Sequence, residues 1–394
     1  MKNFIIYNPV KIHFGNGVFA EAGKEAAALG KKALIVTGKN SAKKTGVLDR
    51  LVSILKKKGV EPAVYDGVTP NPKTTEVDEA AALGVKSGSD FVIGLGGGSA
   101  MDAAKGAAVA AASGGKLWDY IALPDKKAAQ VKNALPIMLI PTLAATGSEG
   151  NPAAVFTNPE TSQKAALYNP GKIYPVLSIV DPELTLTVPK KQTAEGIIDV
   201  IMHVLEEYLT GEGDCALQDR ITEGIILTCI ESGQRVMENL SDREARADIS
   251  LASTVALQGL PNSGRAGAWV VHPLEHAVSG LYDSIAHGAG IAALLPPYLK
   301  FLGEVQPGKV RQLANRLFGA PEEADGDELT GICIEGMRSL LGGLGLPLSL
   351  KEQGIEEGAA GKLAEKVMAV SGMPHPKLNK ERLKKIFEEA WDGE

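Results

Sequence analysis

Short apolar runs alternate with segments of helical spacing in the first part of this chain. The runs are rich in β-branched residues and end at Gly, Asp or Pro, as buried parallel strands do; they are Lys32–Thr37, Ala63–Tyr65, Phe91–Leu95, Pro136–Ile140 and Val176–Val180. A pair of strands is also expected within the first fifteen residues. Repeated β-α units of this kind predict a parallel sheet with helices on both faces.

The pattern changes after Asp181-Pro182. From about Lys190 onward one helical segment follows another, with Gly and Pro between them and few β-branched runs. We therefore predict two domains: an α/β domain over residues 1–182 and an all-α domain over residues 183–394.

Composition excludes several classes of function. The formal net charge of -6 argues against a nucleic-acid partner, because binding to phosphates requires a basic face. No apolar run reaches the roughly 18 residues that a membrane-spanning helix needs, and the first residues do not resemble a signal peptide. The three cysteines are widely spaced and odd in number, which favours free thiols in a reducing cytosol. We predict a cytoplasmic enzyme with neither a nucleic-acid nor a membrane partner.

A glycine-rich turn, Gly96-Gly97-Gly98-Ser99, joins the strand near residue 95 to an Ala-rich helix. Without side chains, backbone amides can approach an anion closely, and the N-terminus of a helix adds a partial positive charge. The turn is therefore a candidate phosphate site, with Asp102 one turn into the helix. The usual dinucleotide fingerprint follows the first strand rather than the third. A tight turn without a ligand thus stays open as the alternative.

The turn after the first of these strands reads Gly38-Lys39-Asn40-Ser41. Many NAD-binding folds place a carboxylate here to accept hydrogen bonds from the adenosine ribose. This chain has glycine and nearby donors instead, a combination that fits a 2′-phosphate better. The alternative is a plain loop with a helix cap at Ser41.

Four of the six histidines occur in two compact motifs: Asp199 with His203, and His272 with His276, which His287 follows eleven residues later. Asp199 and His203 are four residues apart, as are His272 and His276, so each pair shares one face of a helix. Two such turns facing each other could surround a divalent cation. One carboxylate with several imidazoles suits zinc or ferrous iron. The alternatives are hydrogen-bonded core histidines and an ordinary ion pair on a helix face.

Taken together, the sequence resembles the iron-containing (group III) alcohol dehydrogenase family, and within it the butanol-dehydrogenase-like branch. The similarity runs from Phe14-Gly15 to the helices beyond residue 300. The matching motifs are Lys43-Lys44-Thr45-Gly46, Gly96-Gly97-Gly98-Ser99 with Asp102 and Lys105, Pro141-Thr142 with Thr146-Gly147-Ser148-Glu149, Asp181-Pro182, Asp199 with His203, and the set His272, His276 and His287.

The resemblance implies a fold in which an N-terminal α/β nucleotide-binding domain with a parallel sheet precedes an all-α C-terminal domain, as in dehydroquinate synthase-like proteins. It places the active site in the cleft between the two domains. By the same resemblance the metal ligands fall on Asp199, His203, His272 and His287. His276 falls on a further active-site histidine and is our candidate proton carrier.

The resemblance also assigns the cofactor contacts. The cofactor pyrophosphate falls on the glycine-rich turn, and the nicotinamide with its ribose falls near Thr142 and Thr146-Gly147-Ser148. Glycine at position 38 goes with NADP in this family, and aspartate there goes with NAD. The resemblance further implies Fe²⁺ or Zn²⁺ as the metal, and a homodimer.

The spacing of His287 departs from the family pattern. His287 lies eleven residues after His276, and the resemblance leads us to expect ten. The extra residue falls within Leu281–Ala286. The position of His287 relative to the other three ligands is therefore a specific test of the assignment.

The predicted function is that of a metal-dependent, NAD(P)-linked alcohol dehydrogenase or aldehyde reductase. It would transfer a hydride between nicotinamide and a small primary alcohol or aldehyde. Residues 266–280 contain neither Lys nor Arg, which favours an uncharged substrate over a phosphorylated one. The alternatives are a polyol dehydrogenase like glycerol dehydrogenase, a lyase like dehydroquinate synthase, and a catalytically inactive nucleotide-binding protein on the same fold.

Overall fold

The computed structural model describes residues 1–321 and 323–393. The strands are β1 (Lys11–Phe14), β2 (Lys32–Gly38), β3 (Glu61–Val68), β4 (Phe91–Gly96), β5 (Ile137–Pro141), β6 (Ala153–Asn158), β7 (Gln163–Tyr168) and β8 (Leu177–Val180). The helices are α1 (Ala22–Leu29), α2 (Ser41–Lys44), α3 (Val47–Lys57), α4 (Thr74–Ser87), α5 (Gly98–Ser113), α6 (Lys190–Thr210), α7 (Ala216–Glu238), α8 (Arg243–Ala256), α9 (Val271–Leu281), α10 (His287–Val305), α11 (Pro307–Leu317), α12 (Gly326–Leu344), α13 (Ala360–Ser371) and α14 (Lys380–Asp392).

The chain forms two compact units. The first, here called the α/β unit, comprises Tyr7–Pro189 and Leu240–Gln258. The second, the helical unit, comprises Met1–Ile6, Lys190–Asn239 and Gly259–Glu394. The chain therefore returns once to the α/β unit for α8, a return that the hydrophobic pattern does not indicate. The domain boundary between residues 182 and 183 stays a prediction.

The α/β unit contains a six-stranded parallel sheet in the order β1-β8-β5-β4-β2-β3, which confirms the predicted sheet type. All five strands predicted from apolar runs belong to it. Every residue of β4 is buried, because this strand has neighbours on both sides and helices over its faces. Strands buried on both faces consist of continuous apolar runs, so their positions could be predicted from the sequence.

Two features of this unit differ from prediction. The expected N-terminal strand pair is wrong: β1 is the one strand in the first fifteen residues, and it pairs with β8. An antiparallel hairpin of β6 and β7 was not predicted. Its turn contains Pro159 and ends at Ser162, whose φ of 52° lies in the left-handed region. Strand β7 has two exposed positions, and β6 mixes half-buried with buried ones, so the apolar signal of the hairpin is weak.

Helix α5 packs directly on the sheet, and this contact positions the glycine-rich turn. A Cβ at Gly94 would lie 2.6 Å from Leu139 Cδ2 and 2.9 Å from Ala104 Cβ. Glycine on the strand and alanine on the helix thus allow the two backbones to approach closely. The N-terminus of α5 is thereby fixed at the carboxyl end of β4.

The helical unit is built around α6, α9 and α10. Helix α10 packs against both α6 and α9, and also against α12 and α14. Most residues of α6 and α10 are buried, as expected for helices with neighbours on several sides. All four histidines of the predicted cluster lie on these three helices. Within the described ranges, we find no helix whose length and apolarity would allow it to cross a membrane.

Candidate metal centre and cofactor site

The four predicted metal ligands converge on one carboxylate oxygen. Helix α6 places Asp199 and His203 one turn apart, and Asp199 Oδ1 lies 3.6 Å from His203 Nε2. His272, in the first turn of α9, brings its Nε2 to 3.5 Å from the same oxygen. His287, the first residue of α10, also places its Nε2 at 3.5 Å. Three helices thus bring three imidazole nitrogens to one point.

This geometry fits a divalent cation. Two donor atoms at about 2.0–2.1 Å from a tetrahedral cation lie about 3.4 Å from each other, close to the three distances from Asp199 Oδ1 to Nε2 atoms. The donor atoms of Asp199, His272 and His287 all lie within 4.8 Å of one another, and His203 is outside that set of three. Asp199 Oδ1 and His272 Nε2 are both buried and, among the described residues, neither has a hydrogen-bond partner. Leaving such atoms unsatisfied costs about 1–3 kcal/mol each, and a shared cation would offset that cost.

The charges in the cluster also favour a cation. Burial would raise the pKa of Asp199, but His203, His272 and His287 outweigh it and hold that pKa well below its usual range. Burial would lower the pKa of His272, but Glu206 and Asp199 outweigh it and raise that pKa to about 10. The carboxylates therefore attract positive charge strongly. A divalent cation would take the place of the proton, because metal ligands bind in their deprotonated forms.

His276 lies beside the cluster. Its ring centroid is 5.7 Å from that of His287 and 6.5 Å from that of His272. Its side chain is half-buried, in contrast to the fully buried His272. The extra residue in Leu281–Ala286 is accommodated in the loop between α9 and α10, and His287 reaches the cluster despite it.

Two buried glutamates next to the cluster were missed by the sequence analysis. Glu206 and Glu275 contact the Nδ1 atoms of His272 and His287, respectively. The sequence contains a signal for both, since each follows a ligand candidate at the spacing His-x-x-Glu. A glutamate inside a helix is common, however, and the sequence cannot show that it faces a histidine on another helix.

The glycine-rich turn combines a packing requirement with an accessible helix terminus. Gly96 has a φ of 150°, a region that disfavours any side chain, and a Cβ at Gly98 would lie 2.4 Å from Thr146 Cγ2. Gly97 and Ser99 are half-exposed. Both interpretations of the turn thus have structural support: close packing requires glycine, and the amides at the start of α5 remain available to an anion.

Asp102 lies inside the protein rather than on the helix surface. Its Oδ1 accepts a hydrogen bond from Ser148 Oγ at 2.7 Å, and its Oδ2 accepts one from the Val155 amide at 2.8 Å. Lys105, fully buried, donates to the Ser148 and Ala153 carbonyls at 2.7 Å. Burial lowers the pKa of Lys105 to about 8, although Asp102 and Glu149 oppose this shift. These groups connect α5 to the segment around Ser148.

The remaining cofactor candidates follow the carboxyl ends of β2 and β5, which flank β4 in the sheet. Ligands of open parallel sheets bind at such strand ends. The half-exposed Thr142 donates its amide to the Gly96 carbonyl at 2.9 Å, which joins the end of β5 to the glycine-rich turn. Gly147, with a φ of 54°, precedes the one-turn helix that begins at Ser148.

The turn Gly38–Ser41 is open to solvent. Lys39, Asn40 and Ser41 are exposed, and Ser41 is the first residue of α2 rather than its cap. A Cβ at Gly38 would meet its nearest neighbour, the Val68 carbonyl oxygen, at an ordinary 3.6 Å. A side chain would therefore fit at position 38. Local packing therefore does not require glycine at position 38.

Comparison with known proteins identifies the family. The family model described as "Iron-containing alcohol dehydrogenase" matches residues 9–182. A second family model, "Fe-containing alcohol dehydrogenase family, C-terminal", matches residues 193–391. The chain belongs to the iron-containing alcohol dehydrogenase family. The predicted resemblance and the predicted fold class are confirmed.

Individual relatives cover almost the whole chain. It is 36% identical over 391 residues to a probable NADH-dependent butanol dehydrogenase of Bacillus subtilis, covering 98% of this chain and 99% of that one. It is 32% identical over 369 residues to the NADPH-dependent aldehyde reductase YqhD of Escherichia coli, covering 93% of each. The crystal structure of an NADH-dependent butanol dehydrogenase A from Thermotoga maritima matches with a TM-score of 0.92, 37% identity and 99% coverage of both chains.

These matches establish the class of enzyme: this chain is an NAD(P)-dependent alcohol dehydrogenase. They do not decide between the two cofactors, since relatives named for NADH and for NADPH are both present. The roles of the metal ligands, of His276 and of the cofactor-site residues stay predictions.

Proposed function

We propose that this enzyme interconverts small aldehydes and primary alcohols, using a divalent cation held by Asp199, His203, His272 and His287. One observation carries the proposal. Three imidazole Nε2 atoms surround a buried carboxylate oxygen at 3.5–3.6 Å. One carboxylate with three imidazoles is a donor set suited to ferrous iron or zinc.

The chemistry divides among the residues as follows. When bound, the cation acts as a Lewis acid that polarises the substrate oxygen. His276, half-buried beside the cluster, carries a proton between that oxygen and solvent, because imidazole titrates near neutral pH. The glycine-rich turn holds the cofactor pyrophosphate, and Thr142 with Thr146–Ser148 holds the nicotinamide and its ribose. Hydride transfer requires the two reacting carbons to approach to roughly 3–3.5 Å.

An uncharged substrate is favoured by the composition around the metal ligands. Residues 266–280 contain neither Lys nor Arg, so this segment lacks the cations that a phosphorylated substrate would need. The names of the relatives, butanol dehydrogenase and aldehyde reductase, describe small uncharged substrates as well. We therefore propose a short-chain aldehyde or primary alcohol as the substrate.

For the cofactor we propose a preference for NADP(H) over NAD(H). Gly38 leaves room where a carboxylate would repel a 2′-phosphate, and Lys39 is exposed next to it. Lys43, by contrast, forms an ion pair with Asp66, so part of its charge is already neutralised. The preference thus rests mainly on Gly38 and Lys39. A cytoplasmic homodimer, as the resemblance implies, completes the proposal.

The proposal is tested with metal-free protein reloaded with Fe²⁺ or Zn²⁺. We expect reduction of butanal that depends on the added metal and has a higher kcat/KM with NADPH than with NADH. Failure of both reloaded forms to reduce short aldehydes would contradict the proposed reaction. Turnover of glycerol at a higher kcat/KM than butanol would favour the polyol dehydrogenase alternative.

A further inference from the structure

We propose that Glu206 and Glu275 are positioning residues that orient the His272 and His287 rings for cation binding. This inference rests on the proposed metal site and adds two groups to it. Both side chains are completely buried, with an exposed fraction of 0%. Neither was singled out by the sequence pattern, and each approaches the ring nitrogen that faces away from Asp199.

Glu206 uses both carboxylate oxygens at the start of α9. Its Oε2 lies 2.8 Å from His272 Nδ1, and its Oε1 accepts hydrogen bonds from the amides of Val270 at 3.1 Å and His272 at 3.0 Å. A carboxylate from α6 therefore serves as the N-terminal cap that α9 does not supply itself. The same contact fixes the backbone and the ring of His272.

Glu275 performs the equivalent contact one helix further along the chain. Its Oε2 lies against His287 Nδ1 at the start of α10. A Cβ at Gly290 would lie 2.9 Å from Glu275 Cγ, so glycine on α10 leaves the space that this side chain occupies. Room for a buried carboxylate is thus built into the helix that carries His287.

A carboxylate at Nδ1 decides what the opposite ring nitrogen can do. The ionised group only accepts hydrogen bonds, so it selects the tautomer with a proton on Nδ1 and leaves the lone pair on Nε2. In both rings that Nε2 points to Asp199 Oδ1 at 3.5 Å. Such partners fix ring orientation and raise ligand basicity, and their loss typically costs 10–100-fold in metal affinity.

The two contacts follow the same order along the chain. Glu206 lies three residues after His203 on α6 but holds the ring on α9, and Glu275 lies three residues after His272 but holds the ring on α10. Each ligand-bearing helix therefore orients the ligand of the next. A role limited to joining helices would lower stability, whereas the proposed role acts on metal affinity.

The test uses the isosteric variants Glu206→Gln and Glu275→Gln. In Glu206→Gln the Val270 and His272 amides hold the side-chain oxygen at the Oε1 position, so the amide nitrogen faces Nδ1, donates a hydrogen bond, favours the opposite tautomer and places a proton on Nε2. Glu275→Gln removes the negative charge next to His287 Nδ1. We expect the Zn²⁺ dissociation constant, measured by competition with a chromophoric chelator, to rise about 10–100-fold. Glu206→Asp and Glu275→Asp retain the acceptor charge, and we expect them to bind Zn²⁺ with intermediate affinity.

Glu223→Gln is the matched control. Glu223 is a buried helical glutamate that accepts from Tyr208 Oη at 3.0 Å and from Arg316 at 2.6 Å. We expect this variant to unfold at a lower temperature while its Zn²⁺ affinity stays unchanged. Nicotinamide nucleotide binding by each metal-free variant verifies that it is folded before metal is added.

The possible results separate the two proposals. Unchanged Zn²⁺ affinity in both Gln variants, with wild-type protein that binds Zn²⁺ tightly, would overturn the positioning role and leave the proposed function intact. Wild-type protein that binds neither Zn²⁺ nor Fe²⁺ would overturn both. If a Gln variant does not fold, the Ala variant at the same position, which removes the acceptor altogether, replaces it: wild-type Zn²⁺ affinity there would overturn the positioning role.

Discussion

Two buried aspartates, one in each unit, have opposite surroundings. Asp102 in the α/β unit has both carboxylate oxygens hydrogen-bonded and the Lys105 ammonium group close by. Asp199 in the helical unit has one oxygen facing three imidazoles, with no hydrogen bond to it among the described residues. Asp102 has its partners within the protein, whereas Asp199 Oδ1 faces three imidazole nitrogens. This difference supports our proposal that Asp199 is a metal ligand.

The pKa values of the two aspartates differ in the same way as their surroundings. Burial raises the pKa of Asp102, and Lys105 opposes that shift only in part. The three histidines lower the pKa of Asp199 despite an equally buried position. A buried acid whose pKa falls stays ionised, so Asp199 presents a negative charge to the three imidazoles. Strongly perturbed pKa values of this kind cluster at functional sites.

The largest expected effect is on the Asp199 side of the comparison. His272→Ala removes one of the three imidazoles, and we expect loss of bound metal and a fall in turnover of more than about a thousandfold. Nucleotide binding should remain measurable, since the variant leaves the α/β unit unchanged. Elemental analysis of the purified variant checks the metal. Metal content equal to that of wild type would contradict the ligand assignment.

On the Asp102 side we expect a loss of stability instead. Lys105→Met leaves Asp102 as a buried carboxylate without its counter-charge, and removing one partner of such a pair typically costs about 3–5 kcal/mol. The free energy of unfolding in urea measures the loss. The double variant Lys105→Met with Asp102→Asn should recover only the electrostatic part of the loss, since the Ser148 and Ala153 carbonyls still lack their donor. Metal content should stay at the wild-type level. A variant that also loses metal would contradict the different roles that we assign to Asp102 and Asp199.

The smallest expected effect concerns cofactor choice. Gly38→Asp places a carboxylate where we propose the 2′-phosphate, and like charges repel. We expect the ratio of kcat/KM for NADPH to that for NADH to fall about 10–100-fold. Gly38→Asn, which has the same shape without the charge, should largely keep the wild-type ratio. An unchanged ratio in the Asp variant would refute the role of position 38.

The sequence allowed prediction of those parts that depend on local spacing. Buried strands such as β4 are continuous apolar runs in the sequence. The four-residue spacing of Asp199 and His203 predicts that both lie on one face of a helix. The β6–β7 hairpin did not follow, because its strands mix buried positions with half-buried or exposed ones. The single N-terminal strand β1 did not follow, because it has no buried position and pairs with the distant strand β8. The return of α8 to the α/β unit is likewise a tertiary contact without a local signal.

The candidate site shows the same limit. The identity of the ligand residues was visible from helical spacing together with the family resemblance. The contacts of Glu206 and Glu275 were not, because each glutamate reaches a histidine on a different helix. The sequence places Asp102 one turn into the helix at the candidate phosphate site, without showing its partners. Its hydrogen bonds to Ser148 and Val155, separated from it by 46 and 53 residues, became apparent only in the folded structure.

X-ray absorption spectroscopy of protein loaded with one equivalent of Zn²⁺ tests the central claim most directly, because it reports the atoms bound to the cation. We predict scattering from three imidazole rings and one carboxylate oxygen among the bound atoms, with the imidazole signal reduced by one ring in any variant that retains metal after loss of a single histidine. A spectrum with one imidazole or none, or one dominated by sulfur, would contradict the account.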